Sequence, residues 1–555
     1  MSSRPLSGGR DFFIWHFPVR QMLLSRFGKA GYPQIKRRGL WFNMTEKIVL
    51  LVAFFASMVI VGFYCRKHST DVNGFVLGGR SVGPWLTAFS YGTSYFSAVI
   101  FVGYAGQFGW KFGIASTWIG LGNAVLGSLL AWVVLGRRTR IMTQYLDTAT
   151  MPEFFGKRFD SNKLKIGASI ITFVFLIPYT ASLYNGLSRL FGMAFNIDYT
   201  VCIVVMAVLT GIYVIAGGYM ATAINDFIQG IIMIFGIIAV VAVVLGNNGG
   251  FMEALNTLSH VSDPAVSSQA GAFTSFFGPD PLSLLGVIIL TSLGTWGLPQ
   301  MVGKFYAIKD EHSINKGMVI STFFAIIVAG GSYFLGGFGR LFSDRIDIAA
   351  GGYDSIIPTM LEDLPSLLIG IVVILVLSAS MSTLSSLVMA SSSTLALDLI
   401  KDNLIKNMDE KKQVFTIRCL IVVFILISVI IAIVQYKSSV TFIAQLMGIS
   451  WGALAGAFLA PFLYGLYWKR TTKAAVWVSF IFSTVLMICN MLFRTAFPPV
   501  LQSPINAGAF AMIMGLIFVP VISLLTKAPR KRLVDDAFAS YDTKVIVSVK
   551  EDLGE

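Results

Sequence analysis

Apolar runs of roughly 20 residues recur along most of the chain, and each is long enough to cross a bilayer as a helix. Thirteen spans are predicted, at roughly 46–64, 83–107, 113–136, 165–189, 197–217, 220–245, 282–302, 315–339, 366–397, 417–436, 439–467, 474–493 and 505–526. The pattern is that of an all-α polytopic membrane protein with one continuous transmembrane domain over 44–526.

Polar residues interrupt two of these spans. The second reads Ala88-Phe89-Ser90-Tyr91-Gly92-Thr93-Ser94-Tyr95-Phe96-Ser97, polar at mid-membrane with a glycine inside. The seventh reads Thr291-Ser292-Leu293-Gly294-Thr295-Trp296-Gly297-Leu298-Pro299-Gln300. In a helix interior Gly costs about 1 kcal/mol and Pro about 3. Non-helical backbone at membrane depth survives when it is buried in protein or lines a cavity. Paired interrupted spans point to a transporter's binding site. Here they open spans 2–6 and 7–11, two sets of five, so the odd number inserts the second set upside down. That predicts an inverted five-plus-five repeat core at about 83–467.

The ninth span carries Ala379-Ser380-Met381-Ser382-Thr383-Leu384-Ser385-Ser386. Positions 379, 382, 383 and 386 share one helix face. Clustered neutral oxygens suit a small hard cation such as sodium. They also suit back-bonding to the helix and close helix packing. Asp226 falls at the inner end of the sixth span. A charge there is a functional candidate unless it caps the helix at the water boundary. Gly448, Gly452 and Gly456 in span 11 have the spacing of a close helix contact.

Hydrophobic residues make up 55% of the chain and charged residues 13%, against about 25% charged in soluble domains. The net charge of +14 is spread over short loops, which suits membrane orientation and not nucleic-acid binding. Loops after odd-numbered spans hold the basic residues, Lys304, Lys309 and Lys316 among them. Loops after even-numbered spans are poor in them, and 246–281 has none. The N-terminus is therefore expected outside and the C-terminus in the cytoplasm of a cell (inner) membrane protein. Residues 1–43 break the rule with eight Lys and Arg against Asp11; they are expected to be an upstream basic extension from a mis-assigned start, with a genuine basic arm as the alternative. Residues 527–555 form a short charged cytoplasmic tail. The four cysteines and four histidines show no ligand spacing. No metal cluster or nucleophile–base pair lies within the spans, so no enzyme and no catalytic residue is expected.

The chain resembles the sodium/solute symporter family, and most of all its proline permease branch. The resemblance is carried by Gly78-Gly79-Arg80-Ser81-Val82-Gly83-Pro84-Trp85 and by Gly217-Gly218 through Asp226 and Gln229. Pro299-Gln300-Met301-Val302-Gly303-Lys304-Phe305 and the hydroxyl helix ending at Asp398 add to it. It implies the fold of the bacterial leucine transporter, with spans 1, 12 and 13 peripheral. It implies one sodium site made by the carbonyls of Thr93, Phe96 and Ala379 with the hydroxyls of Ser382 and Thr383. The sialic-acid branch implies a second, at Asp226, Ser382, Ser385 and Ser386. One transported sodium ion is expected, or two if the second set also binds.

The solute side departs from the proline permeases, which carry an aspartate at the position of Tyr95 and Trp and Tyr at those of Thr291 and Thr295. Tyr95, Ser97, Thr291, Thr295, Trp296 and Gln300 are the expected solute contacts. The cargo is expected to be a small organic solute, amino-acid-like or another organic acid or zwitterion. A sugar acid or a vitamin, such as sialic acid or pantothenate, is the alternative. A channel or a transporter-like sensor is the alternative class. The lipid bilayer is the expected surrounding, with no obligate protein partner.

Overall fold

The computed structural model describes residues 35–542, apart from 69, 196–197, 265, 268, 349–351, 406–407 and 439–442. The basic stretch 1–43 lies outside the described residues, save the backbone of 35–43, which runs in the helix Ile35–Tyr64. The described chain is helical throughout, with isolated bridges in place of strands. Nine of its helices are long and apolar enough to cross a membrane, or ten if the bent pair Pro281–Gly297 and Pro299–Ala307 makes one span.

Two of the long helices contain a break at glycine. Tyr199–Asn247 is interrupted at Gly218, with φ 58° and ψ −148°. A Cβ there would sit 2.8 Å from the Phe75 carbonyl oxygen, so both the dihedrals and the space demand glycine. Gly218→Ala is expected to lower stability by about 1–3 kcal/mol, read as a drop in thermal unfolding temperature in detergent; an unchanged temperature would refute this account of the break. Val99–Tyr145 turns at Gly113, with φ 61° and ψ −141°.

Burial divides the helices into an inner and an outer set. The most apolar stretch of Ile443–Tyr467 is 94% buried and that of Ser366–Lys401 is 78% buried. The corresponding stretches of Tyr199–Asn247 and Glu410–Val434 are 39% buried. Their outward faces carry Val201, Val208, Phe235, Leu426 and Ile430, large apolar side chains that suit a lipid surround. The glycine stripe of span 11 packs against Pro504–Leu525: a Cβ on Gly452 would lie 2.7 Å from the Gly508 Cα.

Both interrupted spans are broken where the sequence places the polar residues. The helix Pro84–Tyr95 ends at Phe96, which is extended (φ −80°, ψ 124°), and helical structure resumes at Ala98. Pro281–Gly297 ends at Leu298, also extended (φ −84°, ψ 123°), and Pro299–Ala307 leaves at a bend of 46°. The two are laced at one end, where the Val82 N–H donates to the Ala307 carbonyl (3.2 Å) and the Lys309 N–H to the Val82 carbonyl (3.0 Å).

The seventh span runs further than its apolar run. Lys304 lies on the helix Pro299–Ala307 and is buried, not in a loop as its place in the charge pattern suggests. The loop count read it as a topology signal because nothing local marks its partner, Asp226, which lies 78 positions earlier in the chain.

Candidate sodium and solute sites

The break at Phe96 exposes carbonyls that a continuous helix would have used internally. The helix Ser366–Thr394 crosses there and presents its hydroxyl face to them. The Ser382 Oγ lies 2.9 Å from the Thr93 carbonyl oxygen and 3.2 Å from that of Ala379. The Thr383 Oγ1 lies 3.2 Å from the Thr93 oxygen, 3.4 Å from Phe96 and 3.0 Å from Ala379. All five residues are wholly buried. Five oxygens from Thr93, Phe96, Ala379, Ser382 and Thr383 thus gather at one point between two helices. In this arrangement the hydroxyls donate to the carbonyls. Turning those two hydrogens away would leave five oxygen lone-pair donors facing a common centre, which is the chemistry a hard monovalent cation takes.

Asp226, Ser382, Ser385 and Ser386 do not share one centre in the same way. Ser90 donates to Asp226 Oδ2, and Lys304 Nζ lies 3.8 Å from that same oxygen. Lys304 also donates to Ser90 (2.7 Å) and to Ser386 (3.0 Å), and Ser386 shares a 2.8 Å hydrogen bond with Ser94. Asp226 and Ser386 are therefore linked through Lys304. Ser385 donates to the Ser382 carbonyl of its own helix at 2.8 Å. Asp226 and Lys304 are both buried. At this separation their attraction is roughly 4 kcal/mol at an effective dielectric of 20. The sequence pattern misses Lys304, Ser90 and Ser94; a lysine next to a glycine on the inner arm of a broken span was the available signal.

The expected solute contacts fall in two places. Tyr95 and Thr295 line a closely packed space of about 10 Å³ between the broken second span and its neighbours, with Asn123, Ser128, Ser321 and Phe324. Asn123 donates to the Tyr95 hydroxyl and accepts from Ser292 at 3.0 Å. The Thr295 and Tyr91 hydroxyls both donate to the Gly127 carbonyl at 2.8 Å. Phe96, whose carbonyl belongs to the oxygen cluster, lines the same space, so the cation position and the cavity share a residue.

Gln300 lines a different cavity, of about 50 Å³, with Lys304, Tyr219, Thr222, Ser386 and Thr394, and its amide is buried without a hydrogen-bond partner. Thr291 donates to Val287 of its own helix (2.8 Å), and Trp296 to the Leu126 carbonyl (2.8 Å). The Ser97 hydroxyl is buried without a partner. Asn123, Ser128 and Ser321 carry no sequence signal, being single polar residues in otherwise apolar spans.

Two broken helices in a membrane bundle, with a cation-suited oxygen cluster at one break and Tyr95, Asn123 and Thr295 packed beside it, are the features of a secondary transporter. The sodium:solute symporter family model matches residues 75–482, and the chain belongs to that family. It is a sodium-coupled solute symporter and not an enzyme. The chain is 28% identical over 492 residues to the osmoregulated proline transporter OpuE of Bacillus subtilis strain 168, covering 88% of this chain and 96% of that one. It is 28% identical over 499 residues to the sodium/proline symporter of Escherichia coli strain K12, covering 87% and 94%. Among solved structures, a Na+-coupled sialic acid symporter in a substrate-bound outward-open state superposes with a TM-score of 0.70 at 18% identity, over 87% of this chain and 98% of that one. That likeness shows the fold, the five-plus-five architecture of the leucine-transporter type.

Proposed function

We propose that this symporter imports a small zwitterion or organic acid of amino-acid size, coupled to sodium held by Thr93, Phe96, Ala379, Ser382 and Thr383. The observation that carries the proposal is the gathering of those five oxygens at the break of the second span. The names of the two relatives above, a proline transporter and a sodium/proline symporter, support an amino-acid-like cargo. The solute binds against Tyr95 and Thr295, next to the ion, in a more open state than this one, where the space they line is about 10 Å³, no larger than a single water needs.

In the proposed cycle sodium binds first from outside. It ties the Thr93 and Phe96 carbonyls to the Ser382 and Thr383 hydroxyls and so stiffens the broken helix. That shapes the adjoining cavity for solute. Binding of each ligand strengthens the other by the same factor. Closure and rocking then open the site inward. Thirteen crossings, with the N-terminus outside and the C-terminus in the cytoplasm, fit the charge pattern of the loops. One charge falling through 100 mV yields about 2.3 kcal/mol, and a tenfold gradient adds about 1.4. One sodium ion therefore sustains a neutral solute about 500-fold concentrated.

The test is uptake by the purified protein in vesicles under an inward sodium gradient. Labelled proline, other amino acids, sialic acid and pantothenate are offered in turn. Sodium-dependent accumulation of one of them is expected. Uptake driven equally well by a proton gradient in sodium-free medium would overturn the coupling, and accumulation of none would overturn the cargo class. Tyr95→Phe removes the hydroxyl that meets Asn123. The bond is internal to the protein, so its loss is expected to raise the half-saturating solute concentration only as far as it positions the two side chains, by at most about 12-fold, the full worth of one hydrogen bond, with the sodium requirement unchanged. An equal shift in both constants would place Tyr95 in the ion site instead.

A further inference from the structure

The inner arm Pro299–Ala307 carries a lysine into the protein interior. Its ammonium donates to Ser90 at 2.7 Å and to Ser386 at 3.0 Å, stands 3.8 Å from Asp226 Oδ2 and lies 5.2 Å above the Tyr219 ring. Asp226 and Ser386 are two of the four groups suited to a second sodium, and one ammonium engages both. Of the other two, Ser382 belongs to the first oxygen cluster and Ser385 bonds to its own helix. Asp226 keeps its second oxygen, Oδ1, buried and without a hydrogen-bond partner.

We propose that Lys304 is a tethered cation that holds the position a second sodium would take, and so fixes coupling at one sodium ion per solute. This rests on the carrier reading given above, with its first sodium at Thr93 and Thr383. A buried carboxylate at membrane depth requires one positive charge beside it. A lysine supplies that charge as a compact ammonium on a flexible stem. A sodium ion bound between Asp226 and Ser386 would compete for the oxygens that Lys304 already uses and would bring a like charge against its ammonium. Unlike sodium, the ammonium is covalently attached and cannot leave on the far side. The carboxylate is thereby neutralised without adding an ion to the cargo. The attainable gradient stays at about 500-fold, where two sodium ions would give about 10⁵-fold.

The inference makes Lys304 a residue that sets stoichiometry. It lines a cavity of about 50 Å³, so the shorter side chains of Met and Gln fit in its place without overpacking.

The test is equilibrium binding of radioactive sodium to the purified full-length protein in nanodiscs, with no solute present. The wild type is expected to saturate at one ion per polypeptide with a Hill coefficient near one. Lys304→Met is expected to bind two, because Asp226 then recruits its own counter-ion. Lys304→Gln, which keeps a polar head and a similar length, should do the same and serves if the methionine variant does not fold. Lys304→Arg should stay at one. Asp226→Asn combined with Lys304→Met should return to one. Two ions on the wild type, or one ion on folded Lys304→Gln, would overturn the proposal while leaving the carrier reading intact. A wild type that binds no sodium would overturn the carrier reading itself.

Discussion

Ser382→Ala and Thr383→Ala are each expected to raise the sodium concentration for half-maximal uptake roughly 10- to 100-fold, the range expected when a charged partner loses one polar contact of about 1.5–3 kcal/mol. Each hydroxyl reaches more than one carbonyl: Ser382 meets Thr93 and Ala379, and Thr383 meets Thr93, Phe96 and Ala379. Removing either oxygen leaves a cation short of one donor in a buried place where water offers little compensation. Thr383 touches both carbonyls of the broken helix, so its loss should weaken solute binding as well, through the reciprocity of coupled sites. Ser385→Ala is the control, since Ser385 bonds within its own helix and does not join the cluster. The measurement is initial uptake rate against sodium at fixed membrane potential. A sodium dependence unchanged in Thr383→Ala would remove the cluster as an ion site.

Asp226→Ala is expected to destabilise the folded protein by about 3–5 kcal/mol. The Lys304 ammonium would be left buried with two serine hydroxyls and no counter-charge. In sodium-free buffer Lys304→Ala should cost a similar amount, because Asp226 would keep its Ser90 hydrogen bond and lose its cation. Neutralising both together, with Asp226→Asn and Lys304→Met, should recover most of the loss, since the cost lies in the unpaired charge and not in the missing attraction. The double-mutant cycle is read by thermal unfolding in detergent. Additive losses in the double variant would show that the two groups act independently, and the pairing would then carry no weight.

Periodicity and polarity along the chain were enough to place the architecture. Apolar runs marked the spans, and the glycine and hydroxyls around Gly92 and Gly297–Gln300 marked both breaks, because unwinding leaves a compositional trace in otherwise apolar segments. The hydroxyl face of Ser382 and Thr383 was legible for the same reason. Lys304 was not: a basic residue just past an apolar run reads as a loop charge, and its true environment depends on Asp226, Ser90 and Ser386 arriving from three other spans. The division of the expected solute contacts was hidden as well. Gln300 and Thr295 are five positions apart, but the bend at Leu298 sends their side chains to different cavities. Helix phase cannot be carried across an extended residue, so spacing alone groups residues that the fold separates.

The pair of backbone hydrogen bonds joining Val82 to Ala307 and Lys309 has a mechanical meaning. It couples the start of one fractured rod to the end of the other, where Arg80 also donates to the Tyr306 carbonyl (3.3 Å) and Arg140 to those of Ile308 (2.5 Å) and Lys309 (3.4 Å). A displacement of one arm at this end must carry the other with it or break those bonds, which is a mechanical tie between the two rods that bypasses the cargo.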